Sequence, residues 1–100
     1  MEKFVYYNEL YLIYKDLLND NEQEVYDMYY GDNLTMQEIA DNKNISKARV
    51  GVIIKNVTKK LDKYEEVLKI YNTKNKLNEL LESDDIKEIK KIINILLKGE

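Results

Sequence analysis

The chain of 100 residues contains no cysteine, no histidine, no tryptophan and no proline, and only three glycines. Without cysteine there are no disulfides, thiolate metal sites or thiol nucleophiles. Without histidine the commonest general base and the commonest metal ligand are missing. Nothing in the sequence forms a glycine-rich phosphate loop, a nucleophile constellation or a calcium loop. Carboxylates do occur as neighbours, Glu65-Glu66 and Asp84-Asp85, but adjacent side chains on a helix diverge rather than share a site. The expectation is a protein that is not an enzyme and holds no metal or cofactor. Apolar runs are also short. The longest, Ile92-Ile93-Asn94-Ile95-Leu96-Leu97, falls far below the ~20 residues that span a bilayer. The first residues lack the form of a signal peptide, which points to a cytoplasmic protein.

What is present is charge, 35% of all residues, and nine tyrosines. The net charge of −3 offers no global attraction for nucleic acid. The distribution is uneven, however. Residues 1–42 hold two Lys against ten Asp and Glu. Residues 43–63 hold Lys43, Lys47, Arg49, Lys55, Lys59, Lys60 and Lys63 against Asp62 alone. A local patch of this kind decides binding more than the total does.

With proline absent, only Asn/Asp clusters and a few glycines interrupt helices, so the chain reads as all-α and as one domain. The first helix covers about 3–18. Phe4, Tyr7, Tyr11, Tyr14 and Leu18, with Leu10, Ile13 and Leu17 beside them, give it a wide apolar face. Their helical spacing assigns the tyrosines to a core rather than to base stacking. A second helix covers about 20–30, opened by an Asn19–Glu22 capping box and buried through Val25, Met28 and Tyr29.

The most informative stretch is 30–59. Thr35 and Glu38 form a capping box for a third short helix, Asp41 to Asn44 is a turn, and Ser46 caps a fourth helix. Asn44 stands where the backbone of a tight helix–helix turn goes left-handed, a conformation Asn tolerates. Leu34, Ile39, Ala40, Ile45, Val50 and Ile54 fall where a helix-turn-helix needs its core. Such a unit, about 34–58, inserts its second helix into the DNA major groove.

Beyond it a helical extension is expected over about 59–98. Val50, Ile54, Val57, Leu61, Tyr64, Leu68 and Tyr71 recur at a four-three spacing, a heptad seam. Val57, Leu61, Tyr64, Leu68 and Tyr71 then serve either as core or as a homodimer contact. Unbroken to Leu81, this helix would run about 50 Å; the alternative is a break at Asn72 to Asn75. A last helix, capped by Ser83, turns Ile86, Ile89, Ile93 and Leu96 inward.

The string Leu34-Thr35-x-x-Glu38-Ile39-Ala40, then Ile45-Ser46-x-x-x-Val50-x-x-x-Ile54-Lys55, then Leu61-x-x-Tyr64-Glu65, resembles the YlxM-type family. These are small helix-turn-helix proteins similar to region 4 of sigma factors. Tyr29-Tyr30-x-Asp32 and Leu17-Leu18 extend the match, which covers about residues 3–82. The resemblance implies an all-α fold, homodimerisation, binding to double-stranded DNA and a link to the signal recognition particle pathway. Lys43 departs from it, standing where the pattern carries a large apolar residue, and so do Ala48, Arg49 and Gly51.

The expected DNA contacts are Ser46, Lys47, Arg49, Lys55 and Lys59. Ser46 and the first-turn amides suit a phosphate. Arg49, the only arginine, suits a guanine edge or else pairs with Asp41. The lysines suit the phosphate backbone. Val52 and Ile53 lie beside the core stripe, where an exposed apolar residue suits a thymine methyl or a protein contact. The competing reading is a protein-interaction accessory of the secretion machinery that reads no base sequence. Lys43, Gly51 and the acidic total favour that alternative.

Overall fold

A computed structural model describes residues 3–99. It contains α1 (Lys3–Tyr14), a 3-10 turn (Lys15–Leu17), α2 (Asp20–Tyr26), a π turn (Asp27–Gly31), α3 (Met36–Lys43), α4 (Lys47–Leu68), α5 (Ile70–Glu82) and α6 (Ile86–Lys98). No strand occurs among the described residues. The body of the molecule is α4 with α1, α2 and α3 packed around its first two-thirds.

The core joins Leu10, Tyr11 and Tyr14 of α1, Leu18, Val25 and Tyr26 around α2, Ile39 and Ala40 of α3, and Val50, Ile53, Ile54, Val57 and Leu61 of α4. Burying a side chain of this size contributes about 1.5–3 kcal/mol. The tyrosines bring hydroxyls into this layer, and each finds an acceptor or partner. Tyr11 Oη donates to Asp27 at 2.7 Å, and Tyr26 Oη shares a 2.7 Å bond with Thr58 Oγ1. Tyr7 Oη reaches Asp62 at 3.2 Å. Among the described residues no buried side-chain N or O lacks a partner.

Helix starts follow the local chemistry. Asn19 accepts from the Glu22 amide while the Glu22 carboxylate accepts from the Asn19 amide, closing the anticipated capping box. Thr35 and Glu38 do the same for α3. Asn44 is left-handed at φ 56°, ψ 46°, and Ser46 Oγ accepts from the Arg49 amide at 3.0 Å.

Three expectations need correction. The helical run ends at Lys69 (φ 55°), not at Asn72 to Asn75. Two distant side chains hold this joint. The Glu65 carboxylate accepts from Tyr14 Oη at 2.6 Å, the Tyr71 amide at 3.0 Å and the Asn72 amide at 3.0 Å. Tyr14 Oη in turn accepts from the Ile70 amide at 3.2 Å. The first three amides of α5 are thus all partnered from outside the helix, which makes a second helix start as favourable as continuing the first. The seam is divided accordingly: Val57 and Leu61 are buried, Tyr64 and Tyr71 half-buried against the core, and Leu68 is half-exposed.

The last helix is capped by Asp85, whose carboxylate accepts from the Lys87 and Glu88 amides; Ser83 instead ends α5. Its buried residue is Ile92, while Ile86 and Ile93 are exposed and Ile89 and Leu96 half-buried. α6 packs chiefly on α5, so too little surface is available to cover its whole apolar face. Third, α2 buries Tyr26 completely, a residue outside the expected Val25, Met28 and Tyr29 set. The result is an elongated molecule of 56 × 22 × 18 Å, with the α5–α6 hairpin set apart from the four-helix body.

Candidate nucleic-acid interface

The α3–α4 unit has the geometry that the sequence anticipated. Asn44 turns the chain, and the Ile45 amide bonds back to Ala40 O at 3.0 Å, closing the end of α3. Ile39, Ala40, Val50 and Ile54 pack between the two helices and α2. One face of α4 is thereby fixed inward and the opposite face is fixed outward.

Ser46, Lys47, Arg49, Lys55 and Lys59 are all exposed. Ser46 Oγ is engaged as the cap of α4, and its hydroxyl proton remains available to an anion at the positive end of the helix. Among the described residues, Lys47, Arg49, Lys55 and Lys59 form no ion pair. Asp41, the alternative partner for Arg49, accepts from Gln37 Nε2 at 2.9 Å. Val52 and Ile53 separate: Val52 is 46% exposed and Ile53 is buried at 6%. On α4, successive residues advance by about 100°. The line opposite the core therefore carries Ala48, Val52, Lys55 and Lys59, with Arg49 on one flank; Lys47, two turns before the buried Ile54 and on its side of the helix, is exposed because it opens α4.

Two cations of the basic block are not free. Lys43 pairs with Glu24, and Lys60 pairs with Glu22 at 2.6 Å. Both carboxylates lie on α2, which also donates the apolar residues under α4. Burial pushes the Glu22 carboxyl up, but the Lys60 ammonium and the Asn19 amide outweigh it, so the group sits below the ordinary carboxylate value. The same pair lifts the Lys60 ammonium. The Lys43 pair ties the end of α3 to α2. Sequence reading missed both pairings because the partners stand 19 and 38 residues away. Gly51 also has a simple environment. A Cβ there would meet only Met36 Sδ at 3.9 Å, an ordinary contact, so no close approach within the chain requires glycine.

Elsewhere the surface offers two concavities. One is lined by Glu79, Glu82, Ser83, Asp84, Asp85 and Glu88, where like charges gather at the α5–α6 turn. The other is a shallow apolar groove of Leu68, Ile70, Thr73, Lys74 and Leu77. No helix among the described residues is long and apolar enough to cross a membrane.

Comparison with known proteins agrees with this geometry. A family model described as "Putative helix-turn-helix protein, YlxM / p13 like" matches residues 1–98. A UPF0122 protein of Mycoplasma capricolum is 33% identical, covering 93% of this chain and 90% of its own length. One from Ureaplasma parvum is 36% identical, covering 83% and 88%. One from Lactococcus lactis is 37% identical, covering 82% and 74%. An all-α chain with a capped α3, a left-handed turn at Asn44 and an outward-facing α4 thus belongs to the YlxM/p13-like helix-turn-helix family, UPF0122.

Proposed function

We propose that this protein binds double-stranded DNA, with α4 entering the major groove and α3 crossing behind it. The observation that carries the reading is the exposed cations of α4: Arg49, Lys55 and Lys59 on its outer side and Lys47 at its start stand without an ion-pair partner among the described residues. Ser46 and the free first-turn amides supply a phosphate seat, Arg49 a guanine contact, and the three lysines backbone contacts. Three lysines facing phosphates give a salt slope of about −3 per protomer. The affinity is modest and falls steeply with salt. Anisotropy of a labelled mixed-sequence duplex over a salt series tests this. Lys55→Ala should weaken binding and lower the slope by about 1, whereas Arg49→Ala should cost about 1–3 kcal/mol with little change in slope. Binding by both variants equal to that of the parent would remove the DNA role.

The regulatory reading includes a homodimer, since two-fold proteins engage paired half-sites. Val57 and Leu61 are occupied inside the chain, which directs a twofold contact to Leu68 and Tyr71 at the joint and to the exposed Ile70, Leu77, Leu81, Ile86 and Ile93 of the hairpin. Light scattering over a dilution series should give twice 11.9 kDa. A monomer at the highest concentration would overturn it.

The second reading is an accessory of the secretion machinery, linked to the signal recognition particle. It draws on the resemblance and on the same half-exposed hairpin leucines, which suit a protein partner as well as a second copy. Capture of a signal recognition particle component from lysate by the Arg49→Ala, Lys55→Ala double variant would favour it. Loss of that capture together with DNA binding would count against it.

A further inference from the structure

Val52 is a large apolar side chain left 46% exposed in the middle of a helix whose inward face is fully packed. Ala48 lies one turn before it, also exposed, and Lys55 and Lys59 follow on the same line. Arg49 and Asn56 border it at the i−3 and i+4 positions. This is a poor surface for another helix, because a lysine occupies each of the next two turns. The apolar hairpin face at Leu77, Leu81, Ile86 and Ile93 is the better protein contact. It is a good surface for a polyanion with one apolar feature. In the major groove the single apolar group on a base edge is the 5-methyl of thymine.

Resting on the DNA-binding reading above, we propose that Ala48 and Val52 read thymine methyl groups, so that this protein prefers A·T pairs beneath the first two turns of α4. Lys55 and Lys59 anchor the same line to the backbone, and Arg49 contacts an adjacent base pair. The preference comes from apolar burial, not from a hydrogen bond. One buried methyl is worth about 4-fold in affinity and two about 15-fold.

The probes are two short labelled duplexes, one of alternating adenine and thymine and one with deoxyuridine replacing every thymine. They have the same hydrogen-bonding groups and charge and differ in the methyl. The parent protein should bind the thymine duplex about 4- to 15-fold more tightly. Val52→Ser should bring the thymine duplex down toward the deoxyuridine affinity, with helical content by circular dichroism unchanged, because residue 52 is outside the core. Salt-dependent binding of equal strength to both duplexes would overturn the methyl reading and leave DNA binding standing. A preference of full size in the double variant Ala48→Ser, Val52→Ser would also overturn it. Absence of salt-dependent binding to either duplex would overturn both readings together.

Discussion

Replacing Glu65 by alanine should loosen the hairpin from the body. The carboxylate accepts three hydrogen bonds, from Tyr14 Oη at 2.6 Å and from the Tyr71 and Asn72 amides at 3.0 Å each. Two of these cap α5, and the third ties that cap to α1. A bond to a buried charged group is worth about 1.5–3 kcal/mol, but Glu65 is half-buried, so about 0.7–1 kcal/mol each is the better figure. The whole change then costs about 2–3 kcal/mol. At about 4–8 °C per kcal/mol for a domain of this size, the melting temperature falls by roughly 8–24 °C. The hairpin otherwise meets the body chiefly through α5 against α1 and the end of α4. Its opening need not coincide with global unfolding, so amide hydrogen exchange is the sharper assay. Ile70, Tyr71 and Asn72 should lose protection while Val50, Ile54 and Val57 in α4 keep theirs. Glu65→Gln, which keeps one acceptor oxygen but puts a donor where the other stood, should cost about 1 kcal/mol or more. Tyr14→Phe and Glu65→Ala should be coupled by at least about 0.5 kcal/mol in a double-mutant cycle. Stability within about 0.5 kcal/mol of the parent, with unchanged exchange at those three amides, would refute the account of the joint.

The remaining predictions concern the turn, the glycine and alkaline pH. Asn44→Ala should destabilise by about 1 kcal/mol in urea titrations, because alanine is strained at φ 56°, whereas Asn44→Gly should be neutral or slightly stabilising. Gly51→Ala should stabilise by roughly 1 kcal/mol, since only Met36 Sδ lies near the new methyl and the helix interior gains a better former; a loss of stability would show that α4 is tighter there than its geometry indicates. Burial, then the Asp62 and Glu65 carboxylates, push the Tyr7 and Tyr14 hydroxyls up to about 12. A group with a raised folded value stabilises fully below its unfolded value of about 10 and loses that contribution as pH rises through the folded one. Tyrosinate absorbance and helix circular dichroism should therefore change together between about pH 10 and 12. Titration of Tyr7 and Tyr14 well before the helix signal falls would contradict this.

How much of this was legible in the sequence depended on distance along the chain. Thr35–Glu38, Asn19–Glu22, Asn44 and Ser46 act within four residues, so their types and spacing suffice to fix helix starts and the turn. The inward stripe of α4 was legible too, because Ile39, Ala40, Val50 and Ile54 must meet across a short turn. The joint at Lys69 was not. Nothing at Lys69 or Ile70 disfavours a continuous helix, and the seam runs through both. What breaks it is Tyr14 reaching across 56 residues to the Ile70 amide and meeting the Glu65 carboxylate there. The face of α6 failed for a different reason. Periodicity states which residues share a side: Ile86, Ile89, Ile93 and Leu96 do. It says nothing about whether another body covers that side. Only Ile92 is buried, on α5, and Ile86 stays 67% exposed. For DNA recognition the same distinction applies in reverse. Lys43 and Lys60 belong to the same basic block as Lys55 and Lys59, but α2 brings Glu24 and Glu22 against the first two, which the sequence did not foretell. An acidic chain can therefore present a cationic line because its carboxylates on α2 neutralise the edges of the basic block and leave the centre of α4 exposed.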